Sequence, residues 1–373
     1  MTNPFRPTFG ASPRVWAGRD TVLHDFARAI NGSPGNPDRS ILISGSRGIG
    51  KTVLLTELED IASQQGWVVL RASAREDVDK VLVESTIPEA LERLDQPNPR
   101  RVTGISIAGI GSVSTEVDNQ EPSQRLTTRL RELIARLQGT GVLITIDEIQ
   151  DVAADDLTQI AVAYQDLVRD DLPVAVIMAG LTHGINTLLN LPGATFLRRA
   201  RHYELGPLTL ADAQRALEAT AREGGVEFVA AEQAALFSFG YPYLVQLVGY
   251  LAWESASEIG ATHIDDRVLA AAMPLALERL GTQVHQPALR EVPHKQFEYL
   301  AAMAAIEQRT LDRVVATAEI AEELGVPTTS LSDTRGKLID RDLIIPAGWG
   351  KVEFAQPYLG EFIRDQRRPQ RVQ

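Results

Sequence analysis

The residues with the clearest chemical signature form one short run, Gly45–Thr52, which reads GSRGIGKT. It matches the pattern G-x-x-x-x-G-K-[ST] at every fixed position. Glycines let main-chain amides approach phosphates closely, the lysine can reach the β- and γ-phosphates, and the last hydroxyl can bind Mg²⁺. The residues that we predict to bind a nucleoside triphosphate are Gly45, Ser46, Arg47, Gly48, Ile49, Gly50, Lys51, Thr52 and Val53.

Two acids later in the chain complete the chemistry that such a loop requires. The apolar run Val142–Ile146 predicts a buried strand, and Asp147 and Glu148 follow it directly. We expect Asp147 to share Mg²⁺ with Thr52, and Glu148 to act as the general base that polarises water. Lys51 and Glu148 are therefore the predicted catalytic residues, and the predicted reaction is hydrolysis of the β–γ phosphoanhydride.

The residues after Asp147 favour ATP over GTP. GTPases of the Ras type need a D-x-x-G switch and an N-K-x-D guanine reader. Here Asp147 is followed by Glu148, Ile149 and Gln150, and N-K-x-D does not occur in the sequence. The predicted ligands are thus ATP and Mg²⁺.

Strands and helices alternate through the first 206 residues, which predicts an α/β domain with a mostly parallel sheet covered on both faces. A β-hairpin is predicted as an insertion near residues 101–117, because two β-branched runs flank a Gly-rich turn there. The predicted strands are Ser40–Ser44, Trp67–Leu70, Val142–Ile146, Val174–Met178 and His202–Leu205. The predicted helices between them are Thr52–Gln65, Ser123–Gln138 and Leu157–Val168.

The pattern changes after Gly206-Pro207, where strands are predicted to stop. Helical periods in residues 207–288 predict a helical lid domain. Residues 289–366 predict a winged helix-turn-helix domain, with Thr317–Leu324 and Thr328–Ile339 as its central helices and Lys351–Phe354 as a wing strand. The basic tail, residues 367–373, is predicted to fray.

Composition limits the partners and the compartment. The formal net charge is −12 and the pI is about 5.1, which argues against strong non-specific binding of nucleic acid. There are no cysteines, so disulfides and thiolate metal sites are excluded. No apolar run is long enough to cross a bilayer, and no signal peptide is recognisable. We therefore expect a cytoplasmic protein without a membrane partner.

Together these motifs resemble the AAA+ and STAND superfamily of P-loop ATPases, in its origin-recognition-like or archaeal-ATPase-like branch. The resemblance covers residues 10–260, and it implies the sheet order 5-1-4-3-2. It also implies an N-terminal box at Gly18 and Arg19 beside the adenine, a sensor at Thr182, and a lid contact at Pro242. Arg198 and Arg199 lie where this family often carries an arginine finger, which would require a homo-oligomer.

Two departures from the family pattern bear on turnover. The sensor position usually carries Asn, and Thr182 is the best candidate here. The lid has no arginine beside Gly240-Tyr241-Pro242. A slow switch that holds nucleotide is therefore as compatible with the sequence as a fast motor.

The winged helix is a candidate double-stranded DNA site within residues 317–354. Thr328, Thr329, Ser330, Ser332 and Arg335 would then face the major groove, and Lys337, Arg341 and Lys351 would contact phosphates. From Arg290 onward 12 Lys/Arg oppose 13 Asp/Glu, so this part of the chain is not basic. Packing against the lid, or binding a protein partner, is the alternative.

Three functions remain open from the sequence. The first is an ATP-dependent switch or motor that couples nucleotide state to a DNA or protein partner. The second is a winged-helix DNA-binding regulator that senses nucleotide with little turnover. The third, a P-loop kinase, is disfavoured because the paired acids imply water as the nucleophile.

Overall fold

The computed structural model describes residues 2–8, 10–74, 77–95, 106–108, 122–137, 139–190 and 197–367. The chain divides into two compact units. The first, called the sheet unit here, comprises residues 19–45 and 50–206. The second, the helical unit, comprises residues 1–18, 46–49 and 207–373. No helix among the described residues combines the length and the apolar character that a membrane span requires.

In the described part of the sheet unit, six parallel strands form its centre: β1 Ser40–Gly45, β2 Val68–Ser73, β3 Ser106–Ala108, β4 Val142–Asp147, β5 Val174–Gly180 and β6 Arg201–Leu205. Their order across the sheet is β3-β2-β4-β5-β1-β6. Without β3 this is the order 5-1-4-3-2 read from the β6 edge, so the predicted fold class is confirmed. Strands β1 and β5 are buried along their whole length, as expected for a parallel sheet covered on both faces.

Helices flank these strands: α1 Asp20–Ile30, α2 Lys51–Gln64, α3 Val78–Val81, α4 Ile87–Leu94, α5 Pro122–Arg136, α6 Ala154–Arg169 and α7 Thr182–Leu189. A π-helical turn, Leu82–Thr86, joins α3 to α4. Leucine and isoleucine side chains of α5 and α6 pack with β2 and β4 in one apolar core, which includes Leu70, Leu130, Ile144 and Ile160. This core fixes β4, and with it the two acids at its end.

The insertion predicted near residues 101–117 is described only in part. Ser106–Ala108 forms β3, which pairs parallel with β2 at the edge of the sheet. The remainder of that predicted hairpin lies outside the described residues.

The helical unit begins with α8 Leu210–Glu223, α9 Ala231–Ser238, α10 Pro242–Glu258, α11 Asp266–Leu280 and α12 Gln286–Leu289. The Thr209 side chain accepts the amide hydrogen of Asp212 and caps α8. The expectation that strands stop after residue 207 was wrong, because β7 Glu227–Phe228 pairs parallel with β8 His263–Ile264. Two-residue strands are too short to show a period in the sequence.

The last elements have a core of their own. They are α13 His294–Thr310, β9 Val315–Ala316, α14 Thr317–Leu324, α15 Ser332–Asp340, β10 Ile344–Pro346, β11 Lys351–Phe354 and α16 Leu359–Arg367. The three strands pair antiparallel in the order β10-β11-β9. Gly325 ends α14 in the left-handed region, with φ 66°, and provides the turn between the helices. Helix α16 was not predicted, and it includes Arg367, which the sequence had assigned to the tail.

Candidate nucleotide site

The glycine-rich run connects β1 to α2, as the motif requires. Gly48 and Gly50 have φ values of 74° and 95°, a region that residues with a Cβ rarely adopt. Gly50 is the N-cap of α2, so that helix begins at Lys51. Lys51 is buried, and its Nζ donates to the carbonyl oxygen of Gly45 at 2.9 Å. Within the sheet unit, the ammonium group therefore lies against the end of β1 and at the positive end of a helix.

Thr52 and Asp147, the predicted metal ligands, are in contact. The Thr52 hydroxyl donates to Asp147 Oδ2 at 2.7 Å, which joins the first turn of α2 to the end of β4. A hydroxyl and a carboxylate oxygen are among the hard oxygen ligands that Mg²⁺ takes at phosphate sites. These residues therefore fit the group that the sequence predicted for them.

A second hydrogen bond repeats this connection deeper in the sheet unit. Thr145 donates to Glu59 Oε1 at 2.6 Å. Glu59 lies two turns after Thr52 on α2, and Thr145 lies two residues before Asp147 on β4, so each pair shares one face of its element. The same faces of α2 and β4 thus meet twice, and this register places Thr52 opposite Asp147.

Glu59 is a buried carboxylate, and both of its oxygens accept hydrogen bonds from neighbouring side chains. Arg71 on β2 donates to Glu59 Oε2 from Nε at 2.7 Å and from Nη2 at 2.6 Å, and Thr145 donates to the other oxygen. A fully bonded buried carboxylate is costly to disturb, since removing one partner leaves an uncompensated charge. This cluster stabilises the position of α2 relative to β2 and β4.

Burial raises the pKa of the Asp147 carboxyl above its ordinary value, and the hydrogen bond from Thr52 opposes this shift only in part. The adjacent negative charge of Glu148 raises it further. Burial and a neighbouring charge both destabilise the ionised form of Asp147. A divalent cation therefore stabilises this carboxylate more than it would an exposed one. The direction of the shift is therefore consistent with metal binding.

Glu148 has an unusual backbone. Its φ and ψ are 53° and 47°, in the left-handed region, and its amide donates to Asp147 Oδ1 at 2.9 Å. Non-glycine residues in this region carry strain that is commonly found at functional sites. The Glu148 carboxylate in this turn is exposed. The next residues, Ile149–Asp151, form a 3₁₀ turn.

Gln150 was not among the predicted site residues, although it bonds to Glu148. Its Nε2 donates to Glu148 Oε2 at 2.6 Å, and its Oε1 accepts the amide hydrogen of Leu181 at 3.0 Å. The only sequence signal was a polar residue close behind the two acids.

Other predicted residues of the sheet unit have structural contacts of their own. Arg19 donates from Nη2 to the carbonyl oxygen of Gly206 at 2.7 Å. Thr182 is the first residue of α7, directly behind β5. Arg198 and Arg199 are exposed in a 3₁₀ turn before β6, and Arg198 Nε donates to the Leu189 carbonyl oxygen at 2.8 Å. The predicted roles of these residues in nucleotide binding and turnover stay predictions.

In the helical unit, Tyr241 and Asp342 contact the loop residue Arg47, and Tyr241 also packs over Gly48. The Tyr241 hydroxyl donates to the Arg47 carbonyl oxygen at 3.0 Å, and the Arg47 amide donates to Asp342 Oδ2 at 2.5 Å. A Cβ on Gly48 would lie 1.8 Å from the Tyr241 hydroxyl oxygen, so only glycine fits there. Burial raises the pKa of Tyr241, which keeps its hydroxyl a donor.

Two further residues of the predicted site lie in the helical unit. Pro242, the predicted lid contact, is the first residue of α10 and directly follows Tyr241. Gly18 packs against Asp212, where a Cβ would lie 2.9 Å from a carboxylate oxygen. The sequence had singled out the tripeptide around Tyr241, but nothing in it pointed to Asp342.

Comparison with known families places two matches on the chain. A family model for an AAA ATPase domain matches residues 15–177. A second model, for a domain of unknown function (DUF8462), matches residues 282–363. No curated protein matches the sequence.

Solved structures match the chain over nearly its whole length at low identity. The ORC2 protein of Aeropyrum pernix, in its ADPNP–ADP complexes, has a TM-score of 0.62 at 14% identity and covers 96% of this chain and 96% of its own. Cdc6p of Pyrobaculum aerophilum has a TM-score of 0.47 at 14% identity, covering 96% and 97%. The RuvB Holliday junction branch migration motor of Thermotoga maritima has a TM-score of 0.45 at 16% identity, covering 92% and 94%. The similarity to ORC2 shows a shared fold.

Proposed function

We propose that this chain, whose residues 15–177 match a family model for an AAA ATPase domain and whose fold is shared with the ORC2 protein, binds Mg-ATP at Gly45–Thr52 and hydrolyses it. The nucleotide state would then act as a switch on a DNA or protein partner. Slow turnover fits the proposal as well as fast turnover does.

The contact between Thr52 and Asp147 is the observation that carries this proposal. Two residues far apart in the sequence are joined at 2.7 Å, and they are the two that the chemistry requires to share a cation. A glycine-rich turn that matched the motif by chance would have no reason to face an acid at the end of the neighbouring strand. The Glu59–Thr145 hydrogen bond joins the same faces of α2 and β4, so the packing of these two elements keeps Thr52 opposite Asp147.

Each residue has a distinct part in the proposed reaction. Main-chain amides of the loop and the Lys51 ammonium would bind the β- and γ-phosphates, and Thr52 and Asp147 would hold Mg²⁺. When bound, Mg²⁺ neutralises charge on the phosphate oxygens. Glu148 would accept a proton from the attacking water.

Release of inorganic phosphate by the purified full chain tests this function. We expect release from ATP that requires Mg²⁺, needs no added acceptor and is much weaker from GTP. Transfer to an acceptor with no release into water would favour the kinase instead. Calorimetry that gives no heat with Mg-ATP would reject the nucleotide site itself.

Double-stranded DNA is the partner that we propose for residues 317–354. The side chains of Thr328, Thr329, Ser330 and Ser332 are exposed at the start of α15 and in the turn before it, where a recognition helix presents its base-reading residues. Lys351, Arg341 and Lys337 are also exposed, although Lys337 pairs with Asp333 at 2.8 Å. Arg335 is half-buried, which makes it a weaker candidate for base contact than the four hydroxyl residues.

A mobility shift with duplex DNA at several salt concentrations tests this partner. If Lys351 contacts a phosphate, Lys351→Ala weakens binding of all sequences alike and reduces the slope of log affinity against log salt by about one. Thr329→Ala should instead change the preference between sequences. DNA binding that ATP alters, with no phosphate release, would favour the nucleotide-sensing regulator.

An arginine finger and a homo-oligomer form the most specific part of the proposal. Arg198 and Arg199 are exposed, as a side chain that reaches a neighbouring subunit must be. Mixing Arg198→Ala,Arg199→Ala chains with Lys51→Ala chains provides the test, since each lacks a part that the other supplies. Recovery of phosphate release in the mixture, with neither variant active alone, is the expected result.

A further inference from the structure

The Gln150 side chain links the acid at the end of β4 to the backbone at the end of β5. Its Nε2 donates to Glu148 Oε2 at 2.6 Å, and its Oε1 accepts from the Leu181 amide at 3.0 Å. The two partners fix which way the amide faces. A carboxylate accepts only, and a main-chain N–H donates only, so the reversed amide would lose both bonds. Gln150 is therefore held at both ends.

The Gln150 side chain occupies space that is open because two neighbouring residues are glycines without a Cβ. A Cβ on Gly184, within α7, would lie 2.3 Å from the Gln150 Cβ. A Cβ on Gly180, the last residue of β5, would lie 2.8 Å from Gln150 Oε1. Both distances are too short for real atoms, so an alanine at either position would displace Gln150 or its backbone. The packing around β5 and α7 thus depends on a side chain in this position.

Glu148 itself needs such a partner. Glu148 is exposed and lies on a strained turn. An exposed glutamate samples many rotamers, and holding it in one position costs conformational entropy that a hydrogen bond can compensate. The Gln150 amide bonds to Oε2 and leaves Oε1 as the oxygen that we assign to proton transfer. A hydrogen bond at 2.6 Å to one oxygen restricts the direction of the other.

We propose that Gln150 is a positioning residue that orients the Glu148 carboxylate for water activation and ties that orientation to the backbone of Leu181. This inference rests on the proposed ATPase function. Since Leu181 immediately precedes Thr182, a change at the start of α7 would move Gln150 and, through it, Glu148. The proposal gives this chain a connection between the predicted sensor and the general base that needs no asparagine at the sensor position.

Two substitutions separate orientation from structure. Gln150→Glu keeps the side-chain length and the oxygen that accepts from Leu181, but it removes the donor to Glu148 and adds a like charge. Gln150→Ala removes both bonds. We expect both variants to lower kcat about tenfold, the rate consequence of losing one ordered rotamer, while the affinity for ATP measured by calorimetry changes less than twofold. Gln64→Ala, an exposed glutamine on α2, is the matched control and should match the parent.

A double-mutant cycle decides whether Gln150 acts through Glu148. In a Glu148→Gln background, Gln150→Ala should cause no further loss of kcat, because the carboxylate that it orients is already absent. An equal loss in both backgrounds would overturn the proposal, and so would parental kcat in both Gln150 variants. A parent chain that releases no phosphate would instead reject the proposed ATPase function, which separates the two failures. Thermal unfolding of each variant identifies any loss that comes from an unfolded chain.

Discussion

The two parts of the candidate nucleotide site are held in different ways. The turn that carries Asp147 and Glu148 finds all its described side-chain partners within the sheet unit, in Thr52, Gln150 and the backbone around it. The loop residue Arg47 is instead bonded within the helical unit, through Tyr241 and Asp342. The acids are therefore positioned by the packing of one sheet, whereas the loop residue Arg47 depends on residues of the helical unit.

This difference has a functional consequence. Chemistry at the acids should tolerate changes in the helical unit, as long as the sheet folds. Nucleotide affinity should respond to those same changes, because Asp342 accepts from a loop amide that the motif assigns to phosphate. Substitutions in each part can therefore separate turnover from affinity.

Lys51→Ala should have the largest effect, because it removes the one side-chain cation that the motif directs at the β- and γ-phosphates. Losing a buried, hydrogen-bonded charge pair costs about 2–5 kcal/mol, so ATP affinity should fall roughly 30- to 5,000-fold, and turnover should disappear with it. Calorimetry with Mg-ATP measures the change, and Lys80→Ala, an exposed lysine of the sheet unit, is the control. Unchanged affinity would remove Lys51 from the site.

Glu148→Gln should slow hydrolysis on the order of 10²- to 10⁴-fold and leave ATP bound, since it removes the base but no phosphate contact. This variant tests whether a change at the acids of the sheet unit lowers turnover without lowering ATP affinity. Single-turnover phosphate release and equilibrium binding are the two measurements. Glu92→Gln, exposed on α4, should behave as the parent. Hydrolysis at the parental rate would show that another group activates water.

The same contrast between the two parts of the site explains which features the sequence could predict and which it could not. The phosphate loop and the two acids depend on short contiguous patterns that predict them directly, whereas the strand order followed from the resemblance to a known family. Helix α1 was not predicted, although its buried residues Val22, Phe26, Ala29 and Ile30 have helical spacing. The contacts of Arg47 with Tyr241 and Asp342 join residues 194 and 295 positions apart. No periodicity or motif encodes pairs so distant, because the tertiary fold alone brings them together.

Asp342→Asn should raise the affinity for ATP about tenfold. The Asp342 carboxylate is buried, and it accepts from the Arg47 amide, so its charge competes with a phosphate for that donor and repels it. Asparagine keeps the shape and tolerates the left-handed backbone that Asp342 adopts, with φ 56°. A charge-assisted hydrogen bond is worth about 1.5–3 kcal/mol, which sets the expected scale.

Asp340→Asn is the matched control, because Asp340 is exposed near the same helix end and should not change affinity. A fall in affinity for Asp342→Asn would mean that the carboxylate shapes the loop for phosphate rather than competing with it. In either case kcat at saturating ATP should stay near the parental value, since the acids are held elsewhere.

Tyr241→Phe should have the smallest effect, and one of the opposite sign. It deletes a single neutral hydrogen bond to the Arg47 carbonyl, worth about 1 kcal/mol, while the buried ring remains. The loop then loses a contact that holds it without occupying an amide donor, so ATP affinity should fall two- to fivefold. Tyr250→Phe, on the helix that follows Tyr241, should leave the affinity unchanged. Opposite signs for Tyr241→Phe and Asp342→Asn would show that the helical unit both holds the loop and competes for it, because one partner engages the carbonyl of Arg47 and the other its amide. A fall in ATP affinity in both variants would mean that both contacts only support the shape of the loop.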